Sequence, residues 1–343
     1  MRRRIFISAT LLGAAGAGLL SRLRSPGGAD SAQRLSDGRY LVRAAALAFD
    51  TSVSICALHA DPQRARHALS RAMKSVTQLD GLLTVQRSGS QVSQLNSSGR
   101  LDRPDPHLVR VLGFGLELAD ASGGAFDPTV QPLWEFHADC QRRGCVPDRV
   151  GLTQARKRVN WIAVDLGARR IRLGPGIAIT LNGLAQGYAA DLAFETLAQE
   201  GVTDALIDAG EYGARGLNRN GGPWRVGLQH PRKPDALVGV VPMDGRFLAT
   251  SGDYATHFTD DFKSHHIFDP HTGESPGAMS SVAVAAPSGL LADGLTKPMM
   301  VLELAAAQRL LQRFAGAGAV WIDKSSRIVA THNLSVEPPD RPT

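Results

Sequence analysis

The chain has 343 residues, of which 43% are hydrophobic, with 36 glycines and a formal net charge of +6. That length holds one large domain or two ordinary ones, and the composition is that of a globular protein with many turns. The charge excludes less than it promises: Arg2, Arg3, Arg4, Arg22 and Arg24 stand in an acid-free leader, and the rest of the chain balances to within one unit, so the body has no compositional case for binding nucleic acid.

The leader carries Arg3-Arg4-Ile5-Phe6-Ile7 followed by a weakly apolar run, Ile7–Leu20. This is the pattern of a twin-arginine export signal, and it falls short of the roughly 20 apolar residues of a membrane span. Residues 1–29 therefore read as a signal segment with a periplasmic destination, and an uncleaved N-terminal anchor is the alternative. Residues 30–39 read as a linker. The three cysteines, Cys56, Cys140 and Cys145, are too few for a disulfide framework. Cys140 and Cys145 flank QRRG, and a small disulfide or two free thiols both remain open.

Tyr40–Leu58 alternates loosely and includes the strand-like VSICAL. Asp61-Pro62 is a helix start, a capping acid followed by proline at the first helical position. Ala65, Leu69, Ala72, Met73, Val76, Leu79 and Leu83 follow at helical spacing. SGSQVSQLNSSG is too polar for core. His107–Ser122 is a second amphipathic helix, stopped by Gly123-Gly124. Strands are expected at Arg169–Leu173 and Ile177–Leu181. Asn182-Gly183-Leu184-Ala185-Gln186-Gly187 then breaks into a helix running to Gly201. Such a junction offers free N–H groups and a positive dipole end, which suits phosphate, although its glycine spacing fits neither a dinucleotide fingerprint nor a P-loop.

Ala205–Asp208 is a buried strand ending in AGEYGARG. GGPWRVGL reads as the start of a hairpin with Trp224 packed inward, and Gly239–Pro242 and Phe247–Thr250 continue the sheet. Ala306–Phe314 is a helix, Ala319–Asp323 and Ile328–Thr331 form a closing hairpin, and residues 336–343 read as a disordered tail. Between them, Ala249–Met300 gathers ATSGDYATHF, HHIFDPHTGE and LADGLTKPMM around the apolar SSVAVAAP. Asp293 follows that strand and opens a helical segment, where it serves either as a helix cap or as an oxygen ligand for a hard cation. Thr296 shares its helical face. His265 and His266 precede an Asp-Pro turn. No Gly-x-Ser-x-Gly elbow is present. One α+β domain, residues 40–335, with an antiparallel sheet and covering helices is the economical fold.

GAFDPTVQPLWEF, LNGLAQGYAAD, IDAGEYGARG, PWRVGLQHP, ATSGDY, HHIFDPHTG and ADGLTKPMMVL stand in the order and spacing of the ApbE family. The chain resembles these periplasmic FAD:protein FMN transferases over roughly residues 40–332. NGLAQG with the following GEY is most similar to the NosX branch, associated with nitrous-oxide respiration and a NosR-like membrane flavoprotein. The resemblance implies a T-fold-like domain and a Mg²⁺-assisted attack by an acceptor Thr hydroxyl on the FAD pyrophosphate, leaving FMN on the Thr and releasing AMP. It places Phe49, Gln86, Ala125, Phe126, Asp127, Thr180, Gln186 and Phe268 at the flavin nucleotide. Gly183 (through its carbonyl), Asp293 and Thr296, with the neighbouring Lys297, fall at the metal, and His266 is the candidate proton handler.

Three departures stand out. The family usually has Asp in place of Thr180, Lys or Glu in place of Gln186, and Thr in place of Lys297. A charged Lys is a donor only and cannot ligate a metal. A non-catalytic FAD-binding or assembly factor for nitrous-oxide reductase is therefore the alternative, and hydrolysis of FAD to FMN and AMP a third reading.

Overall fold

The computed structural model describes residues 32–339; the signal segment at 1–29 lies outside them. The fold begins with a hairpin. Strand β1 (Gln33–Arg34) pairs with β2 (Tyr40–Ala48), which turns back into β3 (Thr51–His59). Phe49 and Asp50 form the two-residue turn, with φ of 52° and 58°. Two consecutive left-handed residues match the twist of the flanking strands. Helix α1 (Pro62–Leu83) starts as its sequence predicts: the Asp61 carboxylate accepts from Gln63 N–H at 2.8 Å and from Arg64 N–H.

Next come α2 (Gln91–Ser98), β4 (Arg100–Asp102), α3 (Pro106–Ala121), α4 (Gln131–Arg143), α5 (Arg149–Arg156), β5 (Val164–Gly167) and β6 (Arg170–Leu173). After them run α6 (Ala185–Gln199), β7 (Asp204–Asp208), β8 (Tyr212–Arg215), β9 (Arg225–His230), β10 (Lys233–Pro242) and β11 (Phe247–Gly252). The chain closes with β12 (Met279–Ala286), α7 (Gly289–Val301), α8 (Leu304–Leu311), β13 (Gly318–Asp323) and β14 (Ile328–Ala330).

The main sheet is antiparallel, in the order β1-β2-β3-β7-β8-β11-β12-β13-β14. The architecture is α+β, as its sequence implied. Strand alternation divides the core in two. Val282, Val284 and Ala286 of β12, with Phe247 and Ala249 of β11, face α1, α3, α6 and α7. Ala283, Ala285 and Leu248 face the opposite way, onto Trp224, Val226 and Val241 of the β9–β10 hairpin. With helices on one face and a hairpin on the other, β12 is buried at every position. This is why SSVAVAAP is a continuous apolar run rather than an alternating one.

Several expectations need correction. Gln33 and Arg34, placed in the linker, pair with Leu41 and Tyr40. SGSQVSQLNSSG contains α2, which buries Val92 and Leu95. Gly239–Pro242 belongs to a separate two-stranded sheet with β9. Ile177–Leu181 is not a strand; the Asn96 side-chain amide stands in for a partner, accepting from Ile179 N–H at 2.7 Å and donating to Ile179 O at 2.8 Å. At the C-terminal end Glu337 exchanges backbone hydrogen bonds with Val240, so the chain is still tied to the sheet inside the expected tail. Residues 340–343 lie outside the described residues.

Candidate active site

The N-terminal ends of α6 and α7 meet at two glycines. A Cβ on Gly187 would lie 2.1 Å from Gly289 O, and one on Gly289 would lie 2.2 Å from Gly187 O. Only glycine allows two backbones this close. Each helix then supplies an aspartate to the other's orphan donors. Asp191 of α6 accepts from Gly289 N–H at 2.7 Å and Leu290 N–H at 2.9 Å. Asp293 of α7 accepts from Gly187 N–H at 3.1 Å through Oδ2. A carboxylate at a helix N-terminus satisfies free N–H groups and the positive dipole end together.

This corrects the reading of Asp293 as the residue that opens its own helix. Ser288 caps α7, accepting from Leu291 N–H. Asp293 sits a turn further in, fully buried, and caps the neighbouring helix instead. Burial pushes the Asp191 carboxyl up to about 6, against the two N–H groups that hold it down.

Around this crossing the structure gathers most of the expected metal and phosphate residues. Lys297, one turn after Asp293, pairs its ammonium with Asp293 Oδ1 and donates to Asp293 O at 3.1 Å. Gly183 lies against the lysine stem, where a Cβ would come 2.9 Å from Lys297 Cε. Thr296 is buried and donates to Asp293 O at 2.7 Å, with Ser251 Oγ 2.8 Å away. Ser251 reaches it because it shares the helix-facing side of β11 with Phe247 and Ala249. Gln186 packs on the turn before β8, where a Cβ on Gly210 would lie 2.2 Å from Gln186 Nε2.

Glu211 follows that turn, and its sequence gave only a branch signature, not a site role. Its Oε2 accepts from Thr250 N–H at 2.8 Å. Burial, and secondarily the charge of Asp293, raises its carboxyl well above the usual range. A lone acid after a buried strand was the available signal.

The two histidines separate in role. His265 is buried in the loop, its N–H on Ser275 Oγ and its Nε2 3.2 Å from Pro276 O. His266 places Nδ1 3.0 Å from Thr256 O, which fixes Nδ1 as the protonated nitrogen and leaves Nε2 as an acceptor. Burial depresses His266 to about 4, and the charges of His265 and Lys297 push the same way. The loop is anchored from below by the buried Asp253, gripped by Arg232 at 2.7 Å to each oxygen and by Lys324.

The remaining flavin positions fall into three groups. Asp127 Oδ1 accepts from Thr129 N–H at 2.7 Å and Thr129 Oγ1 at 2.6 Å, and burial raises its carboxyl. Ala125 and Phe126 are buried beside it, and Thr180 N–H donates to Pro128 O at 2.8 Å, so these four are brought together. Phe49 N–H donates to Asp80 Oδ1 at 3.0 Å, while Gln86 accepts from Thr84 Oγ1 at 2.7 Å; both stand at the C-terminal end of α1. Phe268 is 5% exposed and packs with Leu133, Ala155 and, at 4.8 Å between ring centroids, His137. A groove of about 630 Å³ beside Gly174–Ala178 is lined by none of these candidates.

The implied Mg²⁺ does not fit the donors in this arrangement. Both Asp293 oxygens are engaged, one by an ammonium, and the Thr296 hydroxyl is shared between two partners. Among the described residues no group of three or more His, Cys, Asp or Glu is placed to hold a metal ion.

Fold and site together define a member of a known enzyme family. The ApbE family profile matches residues 49–321. The FAD:protein FMN transferase of Salmonella typhimurium is 31% identical over 266 residues, 73% of this chain and 76% of that protein. The ApbE protein of Thermotoga maritima superposes with a TM-score of 0.75 at 24% identity, covering 85% of this chain and 97% of that one. The flavin transferase ApbE of Vibrio cholerae gives 0.73 at 22% identity, covering 86% and 98%. The chain belongs to the ApbE family.

Proposed function

We propose that this chain is an FAD:protein FMN transferase that moves FMN from FAD to a threonine of an acceptor protein. The observation that carries the reading is the convergence of the Gly183–Gly187 junction with Asp293 and Lys297, with His266 close enough to feel the Lys297 charge and depressed to about 4. Cleaving a diphosphate needs positive charge and aligned N–H donors on the phosphoryl oxygens, and an acceptor for the nucleophile's proton. The positive dipole end of α6 and the third N–H of the Lys297 ammonium, left over from its two bonds to Asp293, supply the first. His266 Nε2 supplies the second.

The acceptor Thr Oγ forms a bond to the phosphorus of the FMN half. The phosphorus–oxygen bond to the AMP half breaks, and AMP leaves with the bridging oxygen. The Thr proton passes to His266 Nε2. Ala125, Phe126, Asp127, Thr180, Phe49, Gln86, Gln186 and Phe268 are the proposed flavin-nucleotide contacts. No step is routed through Mg²⁺, because the donors at Asp293 are already taken.

The finer reading is a NosX-type member in a T-fold-like domain, exported to the periplasm by the twin-arginine leader and acting on a NosR-like membrane flavoprotein. The alternative, a non-catalytic FAD-binding assembly factor, draws on the same Lys297–Asp293 pair. One assay separates the readings: the purified chain is incubated with FAD and a Thr-bearing acceptor domain. Covalent flavin fluorescence on the acceptor with equimolar AMP supports transfer. Bound but unchanged FAD supports the assembly factor, and AMP without acceptor supports hydrolysis.

A further inference from the structure

We infer that the Lys297 ammonium is the resident cation of this site, standing where a divalent metal would otherwise bind Asp293; the inference rests on the transferase reading for its consequence, not for its test. Lys297 holds two oxygens of one residue, Asp293 Oδ1 and Asp293 O, in the manner of a chelated ion. Its stem is fixed by Gly183, whose missing side chain leaves room for the lysine methylenes. The rest of the donor set is closed around it: Oδ2 is held by Gly187 N–H, and Thr296 Oγ1 is spent on Asp293 O and Ser251.

Mg²⁺ requires near-octahedral oxygen donors at about 2.1 Å and releases its waters reluctantly. Here it would have to displace an ammonium from the only charged oxygen pair the three candidate positions offer, or sit against it and be repelled. One negative charge matched by one fixed positive charge is already neutral. Pro298, next in the helix, has no N–H for the carbonyl of Gly294, while the carbonyl of Asp293 accepts from the side chains of Thr296 and Lys297.

The test measures metal binding directly. Mn²⁺ is titrated into the full-length FAD-free protein and followed by calorimetry and by loss of the free-ion paramagnetic signal, in wild type, Lys297→Thr and Lys297→Arg. The expected result is no binding in wild type or Lys297→Arg and a gain of about tenfold or more in Lys297→Thr. Mn²⁺ binding to wild type as tight as to Lys297→Thr overturns the inference. So does equal gain in Lys297→Arg, which keeps the charge, and so does no binding to any of the three. If Lys297→Thr does not fold, Lys297→Ala takes its place in the same titration: Mn²⁺ binding gained over wild type decides for the inference, and no gain decides against it. A chain with no transferase activity leaves the titration standing, so loss of the functional reading is distinguishable from loss of this one.

Discussion

Asp191 and Asp293 cap each other's helices. Asp191 lies on α6 and holds the first N–H groups of α7, while Asp293 lies on α7 and holds an N–H of α6. The exchange fixes the relative placement of the two helices that carry Gln186, Thr296 and Lys297, with Gly183 in the turn just before α6. It works because Gly187 and Gly289 let the backbones touch.

Gly187→Ala drives a methyl into the Gly289 carbonyl, a backbone atom that cannot swing aside. A cost of about 3 kcal/mol or more is expected in urea unfolding, with loss of FAD affinity. An alanine variant as stable as wild type would show that the helices can part without penalty.

Asp191 gives a pH dependence of defined sign. Its folded value of about 6 is above the ordinary 3.8, so the folded state binds more protons between these values. Its contribution to stability is full below pH 4 and is lost as pH rises through 6. Asp191→Asn is fixed in the neutral form, so wild-type stability minus variant stability falls across pH 4–6.5, by a few kcal/mol at most. A flat difference across that range contradicts the raised carboxyl.

His266→Ala is expected to lower kcat by about 10²–10⁴ with a smaller change in KM for FAD, if Nε2 receives the acceptor proton. With His266 depressed to about 4, wild-type turnover stays level from pH 6 to 8 and drops only as pH approaches 4. A rate that climbs through pH 6.5 instead points to an unperturbed histidine.

Glu211→Gln tests whether this buried acid needs its charge. Burial disfavours the charged form of Glu211, and an amide oxygen can take the place of Oε2 and still accept from Thr250 N–H. Stability within about 1 kcal/mol of wild type is expected, whereas Glu211→Ala, which orphans that donor, costs about 2 kcal/mol.

Asp253→Asn leaves Arg232 and Lys324 converging on a neutral side chain. Removing one member of a buried ionic cluster costs about 3 kcal/mol, read as a shifted denaturation midpoint. His266 hangs on the same loop, so kcat falls as well, and rescue by Asp253→Glu would mark charge rather than shape as the requirement.

The capping Asp61, the helical spacing that follows it and the apolar run through β12 were legible in the sequence because each is a local choice with one period. The ApbE resemblance was legible too, since its motifs are short and ordered along the chain. Ile177–Leu181 was misread because its partner is a side chain 83 residues away, which no local pattern encodes. Asp293 was misread for a similar reason: after an apolar run an acid looks like the cap of its own helix, and only the packing of α7 on α6 turns it toward Gly187. Glu211 carried no distinguishing context, because the upward shift of its carboxyl comes from burial and from the nearby Asp293 charge. The sequence by itself determined the family and most of the helices and strands. Which carboxylate caps which helix, which histidine keeps a free nitrogen, and what Lys297 holds were decided only by the tertiary structure, because each depends on groups far apart in the chain meeting in a space that excludes water.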